Sequence, residues 1–577
     1  MGYFNIILIG LIVPIIMEIL LNIANFKYKK RFTLLGSLIR LILMAISLAV
    51  LAYIPFLLVN ITGIICFASI FFTAIFYVLP FVLLDLAKKT SISDKLANFR
   101  YKLFGTVFGL SILLSFVILA ATALSPMTSY NSLTTQTAHT EDVPTMKKDE
   151  TPVAISTDTA RSEMRKAMSD IDNSQYYVLN DNIQAQYYKG KPVYIAGIDF
   201  KGFMQYNKMH ELPGYFMISA TDPDAQPQFI KKTIKYAPSF WFNHKSDRAI
   251  ARQSLGYKEL SDGEQLEIDD NGTPYYVDTL YKKGNINGRV NYKQVKIAVL
   301  NAETGKSTLY KPQDAPKFID EGFTSDVASG MNDIYGKYNH GFWNTTIVGA
   351  KQGVAKPTHN GTEDGVTSMF DKNGRIQYVE DYTSSDSSKS AIGYSTTDAR
   401  TGKITYYKLQ NVMDSDSATD NANENYRAQK WQAKMPILYN VYGHPTWVMS
   451  ILDNTNTLRG YYYLDAANQN LYANSSTANA TLAAFRQALI TKAGTNGNHN
   501  SMNYKKYQGV VDRMAIVNDG SKSVVEFMLK GNKTIFTANP AQNNRTALIR
   551  PGDKVEFKAS VVEDESNGSI TEFKANF

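Results

Sequence analysis

The chain opens with four apolar runs, residues 3–25, 34–59, 61–86 and 103–124, and then changes character. From residue 125 onward, apolar positions alternate with polar ones in short stretches rich in Tyr, Asn, Thr and Ser. Each run is long enough to cross about 30 Å of hydrocarbon as a helix, so the pattern predicts four transmembrane helices. Runs two and three are separated only by Asn60, which predicts a tight hairpin. Residues 125–155 carry no hydrophobic period and read as a flexible stalk. Ser156 or Thr157 then caps a helix expected to reach about Asp172, with Ala160, Met164 and Met168 on one face.

Beyond that helix a pattern recurs four times. Each copy opens on a turn containing Gly, and usually Pro, followed by an alternating strand with an aromatic, a second strand, a polar turn and a third strand. Copy one starts at Gly190-Lys191-Pro192, copy two at Gly272-Thr273-Pro274, copy three at Gly374 and copy four at Gly443-His444-Pro445. Period-2 alternation buries one face of a sheet, and Gly admits the positive φ that such turns need. A three-stranded meander is marginal alone, so each copy needs a helix or another copy against its apolar face. Candidate helices lie at 245–254, 313–337, 420–433 and 475–493, the last with Leu482, Phe485 and Leu489 as its stripe. The final stretch, residues 503–577, holds five or six short strands and almost no helical pattern.

Charge adds an orientation. Up to residue 125 there are ten bases and three acids, a balance of +7, leaving 50 bases and 49 acids in the remainder. The basic character therefore belongs to the membrane loops. Lys27, Lys29, Lys30 and Arg31 lie between runs one and two, and Lys88, Lys89, Lys95, Arg100 and Lys102 between runs three and four. The positive-inside rule places both loops in the cytoplasm, and with them fixed, the N-terminus and residues 125–577 outside it. The near-neutral remainder lacks the strong positive charge of a nucleic-acid binder, and no nucleic acid is expected. Cys66 is the only cysteine, so no disulfide forms within the chain. Ala121-Thr122-Ala123 could mimic a signal-peptidase site, but its place after three other helices favours retention.

Two charges fall inside the first two runs. Glu18 and Arg40 are each roughly 10 Å from the cytoplasmic end of antiparallel neighbouring helices. Either alone costs about 2.5–3.5 kcal/mol to insert, which predicts an intramembrane ion pair. It could serve as a proton or ion relay or as a purely structural pair.

A resemblance adds to this reading. G-x-P-x-Y-V, a strand, D/N-A-x-T-G-K and a strand ending in Tyr look like the PepSY-type module. The match is best at Asn301-Ala302-Glu303-Thr304-Gly305-Lys306 and Asp398-Ala399-Arg400-Thr401-Gly402-Lys403, whereas copies one and four lack T-G-K. The whole chain also resembles multi-pass membrane proteins of Gram-positive bacteria. The last stretch, with Pro551-Gly552-Asp553-Lys554 leading into an alternating strand, looks like an OB-type barrel. These likenesses imply an extracytoplasmic region tied to restraint of peptidases or to envelope interactions, and supply no catalytic residues. OB folds bind oligonucleotides, oligosaccharides or proteins. Outside the cytoplasm, glycan or protein fits better.

The chain holds no H-E-x-x-H, G-x-S-x-G or Walker A motif and no cysteine-based metal site, and its seven His are scattered. His340 and Trp343, in His340-Gly341-Phe342-Trp343-Asn344, either line an aromatic ligand pocket or form an ordered loop packed on a core. Asp269-Asp270-Asn271 and Asp414-Ser415-Asp416 lack the Gly and Glu of an EF-hand loop and read as solvated turns. Tyr461 and Tyr463 are either a sugar-binding platform or strand residues chosen for sheet propensity.

The expected architecture is an α-helical membrane domain of four transmembrane helices (1–124), the stalk, then an α+β extracytoplasmic region. That region has repeated antiparallel meanders with helices (copies one and two in 156–320, three and four in 321–495) and a small C-terminal all-β barrel (503–577). The expected function is non-enzymatic: a cell-envelope protein in the lipid bilayer, presenting a binding or scaffolding surface to cell-wall glycan or envelope proteins, with no cofactor or metal. The alternatives are a transporter or signalling accessory acting through its helices and, more remotely, a wall-modifying enzyme.

Overall fold

The computed structural model describes residues 3–27, 34–54, 61–78, 95–140, 143–146, 155–222, 224–254, 256–282, 288–345, 351–361, 364–371, 373–384, 389–496, 504–519, 522–538, 540, 544–561 and 567–575. Among the described residues three helices are long and apolar enough to cross a membrane: α1 (Tyr3–Lys27), α2 (Leu34–Ala52) and α4 (Lys95–Leu124). The third run gives a shorter helix, α3 (Ile61–Thr73), extended by a π-helical turn over Ala74–Val78. Its expected continuation over 79–86, the hairpin tip, and residues 28–33 and 87–94 of the two basic loops lie outside the described residues, while Lys95, Arg100 and Lys102 fall within α4. Met17, Leu21, Met44, Leu48, Ala68 and Phe72 form the seam between these helices.

The expected stalk is a correction. Directly after α4, Met127–Ser132 forms a helical turn and Thr134–His139 forms a strand, β1. β1 pairs in parallel with the third strand of copy three, Thr134 opposite Lys403 and His139 opposite Lys408. Val143 and Ile155 are buried, and Thr145 bridges to Asn440 in copy four. The described part of 125–155 is therefore stitched into the body by backbone hydrogen bonds.

The repeated pattern builds four separate antiparallel sheets. Unit one orders its strands Tyr177–Tyr188, Lys191–Phe200, Leu212–Ser219 and Gln228–Ile234. Unit four repeats that order with Gln432–Val441, His444–Leu452, Leu458–Asp465 and Tyr472–Ser475. In units two and three the first strand is broken in two, into Lys258–Glu259 and Gln265–Ile268 and into Ala355–Pro357 and Thr367–Phe370, both pieces pairing with the next strand.

The same atoms recur in each unit. The opening glycines Gly190, Gly272, Gly374 and Gly443 all have φ between 72° and 84°. The aromatic two residues after the Pro or Ile (Tyr194, Tyr276, Tyr378, Trp447) is buried in every copy. An alanine N–H closes each unit onto that Pro or Ile: Ala220 to the Pro192 carbonyl, Ala302 to Pro274, Ala399 to Ile376 and Ala466 to Pro445. The carbonyl of the same alanine receives the linker that enters the unit, from Ile155, Lys235 and Tyr236, Phe323 and Met413 respectively. In units one, three and four the helix begins at once: Thr157–Ala167, Ser325–Tyr338 and Ser415–Asn425. Unit two inserts residues 237–245 before its helix, Ser246–Gln253.

Local chemistry sets these helices. Ser156 Oγ accepts from Thr159 N at 3.0 Å, and Asp414 Oδ1 from Ser417 N at 2.8 Å, so both are N-caps. The helix expected from 313 starts only at Ser325. The carbonyls of Ala315 and Ile319 are held by the Arg400 guanidinium, which keeps 315–324 an irregular, turn-containing link between units. The helix expected at 420–433 runs Ser415–Asn425, because Gln432 already opens the next strand. One core runs from Val143 to Leu489 across all four units. At the C-terminus, Tyr504–Asp519, Lys522–Leu529, Ile535–Ala538, Asn567–Ala575 and Lys554–Val561 pair in that order, and the last returns to the first. Phe527, Phe536 and Phe557 fill its interior.

Candidate functional site

In the helical bundle, Glu18 and Arg40 meet. Arg40 Nε donates to Glu18 Oε1 at 2.6 Å and Nη2 to Oε2 at 2.8 Å, a bidentate fork. Glu18 is 3% exposed. Ser37 Oγ accepts from Asn22 Nδ2 at 2.8 Å and from Arg40 Nη2 at 3.4 Å. The adjoining 570 Å³ groove is lined by Ile15, Ile19, Ile23, Leu38 and other apolar side chains. Its polar atoms are confined to the Glu18–Asn22–Ser37 strip, which suits a structural pair better than a water-filled relay.

In the body, units one, two and three meet around a polar cleft of 210 Å³. Arg161 and Asp181 come from unit one, Asp262 from unit two, and Glu321, Asp326 and Asp364 from the link and the start of unit three. The lining thus holds five carboxylates and one guanidinium, with Arg161 paired to Asp158 at 2.7 Å and the Asp181 carboxylate to Arg165 at 2.8 Å. Its walls are fixed: Tyr378 Oη donates to Glu321 Oε1 at 2.8 Å, and Asp326 Oδ2 accepts from Asp262 N at 2.6 Å. Burial raises the Asp326 pKa, opposed by hydrogen bonds from Thr324 and Asp262. The volume is below the roughly 300–1,000 Å³ of ordinary ligand pockets. It suits one basic side chain.

Behind the cleft lies a set of buried acids. Glu267 accepts from the backbone N–H of Asp320 (2.7 Å) and Glu321 (3.0 Å), and burial pushes its pKa up. Glu264 is pushed up to about 7 by burial, and Asp278 well above the usual range by the same cause. Glu264 Oε1 and Asp278 Oδ2 are buried without a hydrogen-bond partner, which fits protonated carboxyls. Glu380, at the position in unit three that Asp278 holds in unit two, lies 2.9 Å from His359 Nδ1 and accepts from Asn332 Nδ2 at 2.8 Å. Asp381 accepts from Thr358 and Ser415, yet burial still raises it to about 6.

Sequence reasoning missed these acids. The available signal was a carboxylate (Asp278, Glu380) where units one and four carry Ala196 and Met449.

The other candidates separate. Tyr461 and Tyr463 are 3% and 0% exposed, so the platform reading is corrected: these rings are core, Tyr463 lying edge-on to Phe485. His340 packs against Gly353, where a Cβ would come within 2.5 Å of its ring. Trp343 is 71% exposed and lies edge-on to Phe342. Asp269 Oδ1 accepts from the N–H of Asn271 and Thr273, which makes that stretch a turn. Among the described residues no three His, Cys, Asp or Glu converge as a metal site. No protein-family model and no curated protein sequence matches the chain.

Proposed function

We propose that the chain is a multi-pass membrane protein of the cell envelope whose residues 125–577 lie outside the cytoplasm. There they act, without catalysis, as a binding or scaffolding surface for cell-wall glycan or partner proteins. The single observation that carries the surface reading is the acid-lined cleft where three units meet. It is built from rigid elements, too small for most metabolites, and complementary to a basic side chain presented by a partner. Three spanning-length helices support the membrane part, and the grouping of Lys and Arg in two loops supports the side.

The shared glycine turns and alanine closures of all four units support a PepSY-like repeat, including the two copies without T-G-K. The C-terminal ring, in which the third strand pairs in parallel with the fifth, supports an OB-like module.

A photo-crosslinker at Asp181, used in intact cells, is expected to capture wall or envelope components, and Asp262→Lys at the cleft rim is expected to abolish that capture. Capture of cytoplasmic proteins alone would sink the proposal.

A further inference from the structure

Unit two is the only copy of the four that inserts a segment between the linker residues bonded to its closing alanine and its helix, and that segment exposes aromatic rings. Trp241 is 45% exposed and Phe242 57%, and they are joined from unit one by Phe203 and by Met204, which is 73% exposed. Phe203 lies edge-on to both rings, at 5.3 Å and 6.1 Å. Phe242 holds φ at +55°, a conformation that costs a bulky residue energy and persists only where its surroundings enforce it. Arg248 Nη1 donates to the Phe242 carbonyl at 3.1 Å and Arg252 Nη2 to that of Asn243 at 3.0 Å, so two guanidinium groups hold the protruding loop.

The position of this patch is fixed by the helical bundle. Tyr53 follows α2 directly, and α2 has 19 residues, about 28 Å of helix and close to one hydrocarbon thickness. The Arg248 guanidinium sits 4.5 Å from the Tyr53 ring centre, and Tyr53 Oη lies 3.4 Å from Asn243 Oδ1. The loop that carries Trp241 and Phe242 therefore lies beside the C-terminal end of α2, about one hydrocarbon thickness from its start. At that depth Trp and Tyr are the preferred residues, because the ring is apolar and its N–H or O–H reaches water. Lys201, just before the Phe203–Met209 helix, and Lys208, in its last turn, are both exposed beside the patch and supply cations of the kind that lipid headgroups attract.

We infer that Phe203, Met204, Trp241 and Phe242 form a foot that inserts into the interfacial layer of the bilayer which the chain's own helices span. The occupant of this apolar surface is the boundary between lipid headgroups and acyl chains. The inference rests on the membrane reading above, but not on which side of the membrane the body lies.

The test uses the full chain reconstituted in bilayers whose lipids carry bromine near the headgroup end of the acyl chain. Wild-type Trp emission is expected to be partly quenched relative to unbrominated bilayers, and Trp241→Phe is expected to remove at least half of that lipid-dependent loss. A smaller reduction, or no quenching of the wild type, overturns the inference. As a second readout, Met204→Cys in a Cys66→Ala background carries an environment-sensitive fluorophore. Its emission should shift to the blue in bilayers, and a water-like spectrum there also overturns the inference. Alkaline carbonate separates the two ideas. If it strips the wild-type chain from membranes, the membrane reading fails; if the chain is retained and the Trp241 result is negative, only the foot fails.

Discussion

Glu18 and Arg40 neutralise each other across two helices through a bidentate fork. A buried pair is strongly destabilised when one partner is removed and much less so when both become apolar. Glu18→Leu and Arg40→Leu are each expected to cost about 3 kcal/mol of insertion or folding free energy, while the double variant stays near wild type. Membrane-fraction yield and thermal stability in detergent check this, and equal losses in all three variants would rule the coupling out. These two residues were legible because a charge inside an apolar run is conspicuous. Asp278 and Glu380 were not. An acid within an alternating strand looks like a solvent-facing position, and only the packing of one unit on the next puts it inside. Tyr461 and Tyr463 misled for the same reason, since a tyrosine's propensity for strands does not say which face is covered.

The four-fold pattern was legible because its turns demand particular residues. Gly190 and Gly402 both have positive φ, but a Cβ at Gly190 meets nothing within 4 Å, whereas one at Gly402 would come within 2.7 Å of the Phe323 ring. Gly190→Ala is therefore expected to cost about 1 kcal/mol from backbone strain alone, and Gly402→Ala about 3 kcal/mol because the ring must move as well. Similar melting temperatures for the two variants would show that the ring contact carries no weight. The strand β1 was illegible for the opposite reason. Its sequence, TTQTAH, has no apolar alternation, it sits largely exposed at a sheet edge, and it is held by a backbone ladder to residues some 270 positions away.

The units share one core, so titration at their seams is expressed as stability of the whole body. Glu264, Glu267, Asp278 and Glu380 all have pKa values raised by burial, and that of His359 is raised by Glu380. Unfolded carboxyls titrate near 4.3 and unfolded His near 6.5. Between those values and the raised folded ones, the folded chain holds protons that the unfolded chain releases, so stability is full at lower pH and drains away as pH rises. The melting temperature of the body is expected to fall from about pH 5 to about pH 8, and Glu264→Gln should flatten that slope. Each unit of raised pKa is worth about 1.4 kcal/mol, so the effect reaches several degrees. A melting temperature that rises across this range would show that these acids are ionised in the fold.

The parallel pairing of β1 has a mechanical consequence. The chain passes from α4 into β1 through Met127–Ser132, and β1 runs alongside its partner strand in the same direction. A pull that drags the body away from the helices loads the rungs of this ladder together in shear, where an antiparallel hairpin end would unzip them one at a time. Tension between whatever grips the body and the lipid beneath it would thus meet a clasp at the point of exit, and the body would keep its orientation under strain.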